Sequence, residues 1–363
     1  MNAMKLIPIA VLLIAFTSCS STNSTMDSIS PATPAYQITN DLSYNDLLLQ
    51  IGQAKLTRAV EQPDADGALG RNKNGYFHVR FQVNMTSISD FAVAAERVDA
   101  VQYLLNTITY SFEKQNTDGS FEFSPPEELL NSPNYHPPAI GDLESGTAFF
   151  ASSLGLSLLS LQNSNWFLSS QETQAARAAL ELLKPSFEKT LDYLLNSRDI
   201  LSQYDVNAPN RLLFDALAYY SLGTYLSRPD AQQAGLEFID AALGLVDSVD
   251  GYFIEGGGWD SSYNGVAIKL AMELFSFIDN PNQKHNQREA ISSATNWQIS
   301  RIKESGEVST EGNTRVYEGG EAFLGVEKGV DYVKTVKALY YFGYLTDSPE
   351  VVALGDKVLD YYN

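Results

Sequence analysis

The residues best suited to chemistry stand in one glycine-rich run, Glu255-Gly256-Gly257-Gly258-Trp259-Asp260-Ser261-Ser262-Tyr263-Asn264-Gly265. Consecutive glycines allow a backbone path that other residues resist, and the run ends where an apolar helical pattern begins. It therefore sets two carboxylates, an indole, a phenol and an amide at the mouth of a helix. Trp259 could stack on a sugar face, Glu255 or Asp260 could act as acid or base, and Tyr263 could donate a proton. Asn264 is a candidate substrate contact. The same residues admit an architectural reading, in which Asp260 caps the helix, Trp259 packs over its end and the glycines turn the chain.

A second run, Arg315-Val316-Tyr317-Glu318-Gly319-Gly320-Glu321-Ala322-Phe323, again puts glycines beside carboxylates and an aromatic ring. Glu318 and Glu321 are candidate catalytic carboxylates, and Arg315 and Tyr317 candidate substrate contacts. Two carboxylates facing a glycosidic bond suit hydrolysis. Alternatively, Arg315 would neutralise a uronate while Tyr263 protonates the leaving oxygen of a β-elimination. Both glutamates also fit as solvated loop charges. A third run spans Asn134 to Glu144 and holds His136, one of 3 histidines, and Asp142. Both are candidate substrate contacts; Asp142 equally suits the first turn of a helix through the helix dipole. Arg71 with Lys73, and Arg80 with Arg97, are the densest basic groupings near the N-terminal loop. They could hold a uronic acid carboxylate or pair with the abundant acids. No H-E-x-x-H, paired C-x-x-C, phosphate-binding glycine loop or G-x-S-x-G elbow occurs, so neither cofactor nor metal is expected.

These runs must be positioned by helices. Leu47, Leu48, Ile51, Leu56 and Val60 follow a helical period between residues 42 and 60. A Gly/Asn-rich loop, residues 66–75, leads into Tyr76–Val83, whose alternation of Phe77, Val79, Phe81 and Val83 predicts a short strand. Beyond it one pattern recurs: a helix, a loop with glycine and an aromatic or β-branched residue, then a helix beginning near an aspartate. The four cases run from Phe91–Gln115 to a helix near Asp142, from Phe187–Leu195 to one around Asp215, from Leu236–Val249 to one after Asp260, and from Ala294–Lys303 to Asp331–Leu345. The second members are apolar on nearly all faces, as in Leu154-Gly155-Leu156-Ser157-Leu158-Leu159, which predicts inner helices paired with outer ones. The spacing is too irregular for a simple solenoid.

The chain thus reads as all-α, and it resembles the α/α-toroid proteins over about residues 90–345. Gln115-Asn116-Thr117-Asp118-Gly119-Ser120-Phe121 is similar to a helix-ending turn of terpenoid-cyclase-like toroids. Asp250-Gly251-Tyr252-Phe253, leading to Trp259-Asp260-Ser261-Ser262-Tyr263, is similar to loops of toroid polysaccharide lyases and six-hairpin glycosidases. The resemblance implies an α/α toroid of helical hairpins at 41–363, inner helices around a cleft, and cleavage of an oligo- or polysaccharide by hydrolysis or β-elimination. The rival expectation is a non-catalytic glycan-binding or assembly protein that keeps the toroid as scaffold.

The N-terminus carries an address. Lys5 precedes an apolar run from Leu6 to Phe16, too short to span a bilayer, and Thr17-Ser18-Cys19 closes it. Phe16-Thr17-Ser18-Cys19 resembles the lipobox of bacterial lipoproteins, which implies a signal peptide at 1–18 and lipid on Cys19, the single cysteine of the chain. Ordinary secretion after a nearby cut is the alternative. Ser20 after the cysteine resembles the outer-membrane sorting pattern, and the Ser/Thr/Asn/Pro-rich segment 19–40 reads as a tether. With 24 basic and 44 acidic residues the formal charge is −20. That balance excludes a nucleic-acid footprint and a polybasic membrane patch, leaving the lipid as the membrane contact. An anionic polymer could bind in a locally basic cleft.

Overall fold

The computed structural model describes residues 35–131, 135, 137–323 and 326–363. The leader, Cys19, the segment up to Pro34, and His136 lie outside the described residues. Packing begins before residue 41: Tyr36 N donates to Asn296 Oδ1 at 2.9 Å and Ile38 N to Ser292 Oγ at 3.2 Å. Among the described residues no helix is long and apolar enough to cross a membrane.

The chain is mostly helical. Helices of eight residues or more are α1 Tyr44–Ile51, α2 Met85–Ala95, α3 Val98–Phe112, α4 Ile140–Gln162, α5 Gln174–Asn196, α6 Pro209–Tyr225, α7 Pro229–Leu243, α8 Ser261–Phe275, α9 Pro281–Ser300, α10 Tyr332–Leu345 and α11 Pro349–Tyr362. Two antiparallel strand pairs join β1 Phe77–His78 to β2 Phe123–Ser124, and β3 Ala322–Phe323 to β4 Val326–Glu327. Two expected helices are each interrupted. Residues 42–60 break at Gly52 with φ 79°, and 91–115 break at Glu96, whose φ of 50° is left-handed.

The strand expected over Tyr76–Val83 shrinks to two residues, because a buried amide draws the rest into a 3₁₀ turn. Gln82 Oε1 accepts from Leu69 N at 2.7 Å and Asn72 Nδ2 at 3.1 Å, while its Nε2 donates to Gly67 O at 3.2 Å. Satisfying that amide ties the segment to the preceding loop, and Val79–Asn84 coils to do so.

Burial divides the helices as their patterns predict. Every residue of α8 is buried. By contrast α9 buries one stripe, Gln283, Gln287, Ile291, Ser292, Ala294, Thr295 and Gln298. The enclosed helices touch in series: α1 packs on α2, α2 on α4, α4 on α6, α6 on α8, α8 on α10, and α10 again on α1. Helix α3 lies against α2, α7 against α6, α9 against α8 and α11 against α10, while α5 touches α3, α4 and α6. First and last members are joined by charge as well as by packing. Lys337 of α10 donates to Asp90 of α2, Tyr44 of α1 donates to Asp90 Oδ1 at 2.7 Å, and Lys337 lies 3.4 Å from Glu273 of α8. Burial alone would lower the Lys337 pKa; Asp90, Tyr341 and Glu273 hold it well above the ordinary value.

The recurring glycine turn has a physical reason. After α3, α7 and α9 the chain forms the same small bridge, Gln115 to Phe121, Val246 to Phe253 and Ile302 to Val308. Each turn carries a left-handed glycine, Gly119 (φ 93°), Gly251 (φ 83°) and Gly306 (φ 94°). A Cβ there would stand 2.2 Å from Lys189 O, 1.8 Å from Ser293 Oγ and 2.4 Å from Lys357 O, on α5, α9 and α11 respectively. The turns key one outer helix to the next. Gly306→Ala is expected to cost about 2–4 kcal/mol, a left-handed Cβ penalty plus displacement of the α11 backbone. Gly319→Ala, with φ 79° but no atom within 4 Å among the described residues, should cost about 1 kcal/mol. Equal shifts of the two urea midpoints would refute the keying role.

Candidate functional site

Five chain segments meet where the enclosed helices begin: the turn before α2, the first turns of α4, α6 and α8, and the segment leading into α10. What the sequence left ambiguous is first resolved at Asp260. Its side chain is fully buried and ends in four backbone N–H donors. Oδ1 accepts from Ser262 and Tyr263, both at 3.0 Å, and Oδ2 from Arg315 at 3.0 Å and Val316 at 2.8 Å. The expectation of a catalytic Asp260 is therefore corrected: every lone pair it could offer a substrate caps α8 or pins the Arg315 loop. Asn264 is corrected likewise. It is wholly buried, accepts from Phe253 N at 3.0 Å, and donates to Ala294 O at 3.2 Å and Gln298 Oε1 at 2.9 Å. Trp259 is half-buried, edge-on to Tyr252 at 5.9 Å, and lies over Gly312, consistent with packing at the helix end.

Tyr263 anchors the chemistry. Its hydroxyl donates to Glu321 Oε2 at 2.8 Å and accepts from Lys328 Nζ. The Arg315 guanidinium carbon stands 4.3 Å, and Lys328 Nζ 4.1 Å, from the centre of its ring. Arg315 in turn bridges two carboxylates, Glu255 and Glu321, the latter at 3.0 Å. Burial, against the pull of Arg315 and helped by Glu321 and Glu255, raises the Tyr263 pKa, so the phenol keeps its proton. Burial also raises Glu255 against the pull of Arg315, and leaves its Oε2 buried without a partner. For Glu321 burial is outweighed by Tyr263, Lys328 and Arg315, and its carboxyl sits below the usual range. Burial lowers Lys328 despite Glu321, with Arg315 pushing the same way.

A second half of the site comes from other segments. Arg80 and Arg211 both approach Asp142 Oδ1, at 3.7 and 3.9 Å, so two guanidiniums share one loosely held carboxylate. Arg80 also lies over the Phe149 ring at 5.3 Å and within electrostatic reach of Tyr263; Arg211 is within reach of Glu255. Arg211 has a further partner in buried Asp205 at 3.1 Å. Burial raises the pKa of Asp205 against the pull of Arg211 and, with Asp205 beside it, raises that of Asp215 well above the ordinary value. His78, next to Arg80, is kept neutral: burial and then Arg80 push it down to about 3.

The structure thus brings together Glu255, Tyr263, Arg315 and Glu321, and sets Asp142 beside the arginines that reach toward them. Glu318 and Tyr317 are exposed on the loop. Arg97 pairs with Asp99, and Lys73 pairs with Glu61 at 3.0 Å, so neither joins the site. Sequence reasoning missed Arg211 and Lys328. Both stand near the start of an enclosed helix, the same position as Tyr263, and that positional rule would have found them. The chain matches no protein-family model, and no curated protein matches it.

Proposed function

We propose that the chain is a carbohydrate-active protein that cleaves a uronate-containing oligo- or polysaccharide by β-elimination at Tyr263, in a cleft of an α/α toroid. The observation that carries this reading is the Tyr263 hydroxyl held between Lys328 and Glu321. β-Elimination needs a base for the proton α to the carboxylate, a proton for the leaving oxygen, and cations on the substrate carboxylate. Lys328, with its lowered pKa, is the base, and Tyr263, with its raised pKa, is the acid. The C–H bond breaks toward Lys328, the C=C bond forms, and the glycosidic C–O bond breaks as oxygen takes the Tyr263 proton. The ammonium so formed returns a proton to the phenolate along their existing hydrogen bond. Arg80, which Asp142 reaches only at 3.7 Å, takes the substrate carboxylate, with Arg211 beside it on the same aspartate. Arg315, spent on Glu255 and Glu321, positions the phenol.

Hydrolysis by paired carboxylates has less support, since Asp260 has no free lone pair and Glu255 is 2% exposed. The circuit of enclosed helices is what supports a toroid. The leader and Cys19 support an exported protein lipid-anchored in the cell envelope, at the outer membrane. The test is incubation of the purified protein with polygalacturonate, alginate, glucuronate-containing glycans and neutral polymers. Ultraviolet-absorbing unsaturated ends from a uronate polymer are the expected result. Reducing ends without that absorbance would replace elimination by hydrolysis. Binding without cleavage would leave a glycan-binding protein.

A further inference from the structure

We propose that a cavity separate from the Tyr263 site, between α2 and α10, is a binding site for a small organic acid. The cavity has a volume of about 310 Å³ and is lined by Lys269, Lys334 and Lys337 among others. The three ammonium groups lie within electrostatic reach of one another. Two are better placed: Lys337 has Asp90, Glu273 and Tyr44, and Lys334 has Asp331 and a side chain 24% open to solvent. Lys269 is not. It is 6% exposed, carries three N–H donors, and among the described residues has one acceptor, Glu273 Oε1 at 2.7 Å, which Lys337 also uses. Burial lowers the Lys269 pKa against the pull of Glu273, and an anionic oxygen beside the nitrogen would favour its charged form and supply a missing acceptor.

The walls define that occupant. Thr86, also on the lining, is 8% exposed and places a hydroxyl in the wall. A carboxylate would accept a charge-assisted bond from Lys269, and the Thr86 hydroxyl is a second donor on the wall. Leu56, Val336 and Leu359 supply an apolar surface for the rest of the molecule, and Tyr340 a ring. The shared chemistry is a carboxylate on a compact body, which a free aliphatic acid and a sugar acid both offer.

Titration calorimetry on the full chain with hexanoate and with D-glucuronate, against hexanol and glucose, tests the site. At least one acid is expected to bind, with its neutral counterpart at least ten-fold weaker. Preference for hexanoate would identify a free aliphatic acid, and preference for glucuronate a sugar acid. Lys269→Met keeps the stem and removes the charge, and should weaken the acid at least ten-fold. Thr86→Val, which leaves all the charges in place, should weaken it several-fold and serves if the first variant does not fold. Neither acid binding at millimolar concentration, neutral counterparts binding as well, or unchanged affinity in both variants would overturn the proposal.

Discussion

Asp260→Ala is expected to lower the stability of the fold by about 3–5 kcal/mol, more than any loop carboxylate should cost. The change strands four N–H groups at once, two in the first turn of α8 and two in the Arg315 loop. Each bond to a charged acceptor contributes about 1.5–3 kcal/mol, and the four are not additive because they share one anchor. Loss of a cap alone is about 1 kcal/mol. Asp260→Asn should be nearly as damaging, since only one oxygen remains and the amide turns donors toward donors. Asp331 caps α10 through one side-chain bond, to Lys334 N at 3.4 Å, and its alanine variant should cost about 1 kcal/mol. Urea unfolding followed by circular dichroism measures all three. A catalytic Asp260 would give the opposite pattern, an Asn variant of normal stability without activity.

Tyr263→Phe should do the reverse, sparing the fold and removing the reaction. The ring, and with it the contacts to Arg315 and Lys328, remains. Only the hydroxyl is lost, and a positioned proton donor contributes about 10²–10⁴ in rate. On a uronate polymer that the native protein cleaves, kcat should fall by that factor while the thermal midpoint stays close to the parent. The pH dependence has a defined sign. Lys328 must be neutral to act as base, so the rate falls as pH drops through its depressed pKa; Tyr263 must be protonated, and its raised pKa keeps it so above that point. The working window opens between the two. A Lys328→Met variant that kept the same acid limb would remove Lys328 from the mechanism, and an unchanged rate in Tyr263→Phe would remove elimination at this site.

How much of this was legible follows the range of the forces involved. The starts of α8 and α10 were readable from Asp260 and Asp331, because a cap is satisfied within three residues. The glycine turns were readable as a repeat, although their reason, the approach of the next outer helix, was not. The strand over Tyr76–Val83 failed because its alternation was real but Gln82 had to be satisfied across fifteen residues at Gly67. At the site, glycine-flanked loops flagged Glu255, Tyr263, Arg315 and Glu321. They could not tell Asp260 from Glu255, since two carboxylates five residues apart look alike until one meets the Arg315 loop. Arg80 was flagged as part of a basic grouping; Arg211 and Lys328 stand near helix starts, but which starts lie side by side is not encoded in any local pattern.

The bond from Lys337 to Asp90 bridges 247 positions of chain. It bears on the order in which the molecule assembles. Asp90 and Tyr44 belong to the earliest helices, yet the ammonium that neutralises their buried pair arrives only with α10. Until then that part of the interior holds a carboxylate without its counter-ion, which disfavours closing it. Early helical pairs can form transiently, but the final, cooperative collapse must wait for α10, a slow step set by long-range contacts. The buried carboxylate of α2 thus makes the closing of the helical circuit an all-or-none event, with α1, α2 and α10 locking together at once.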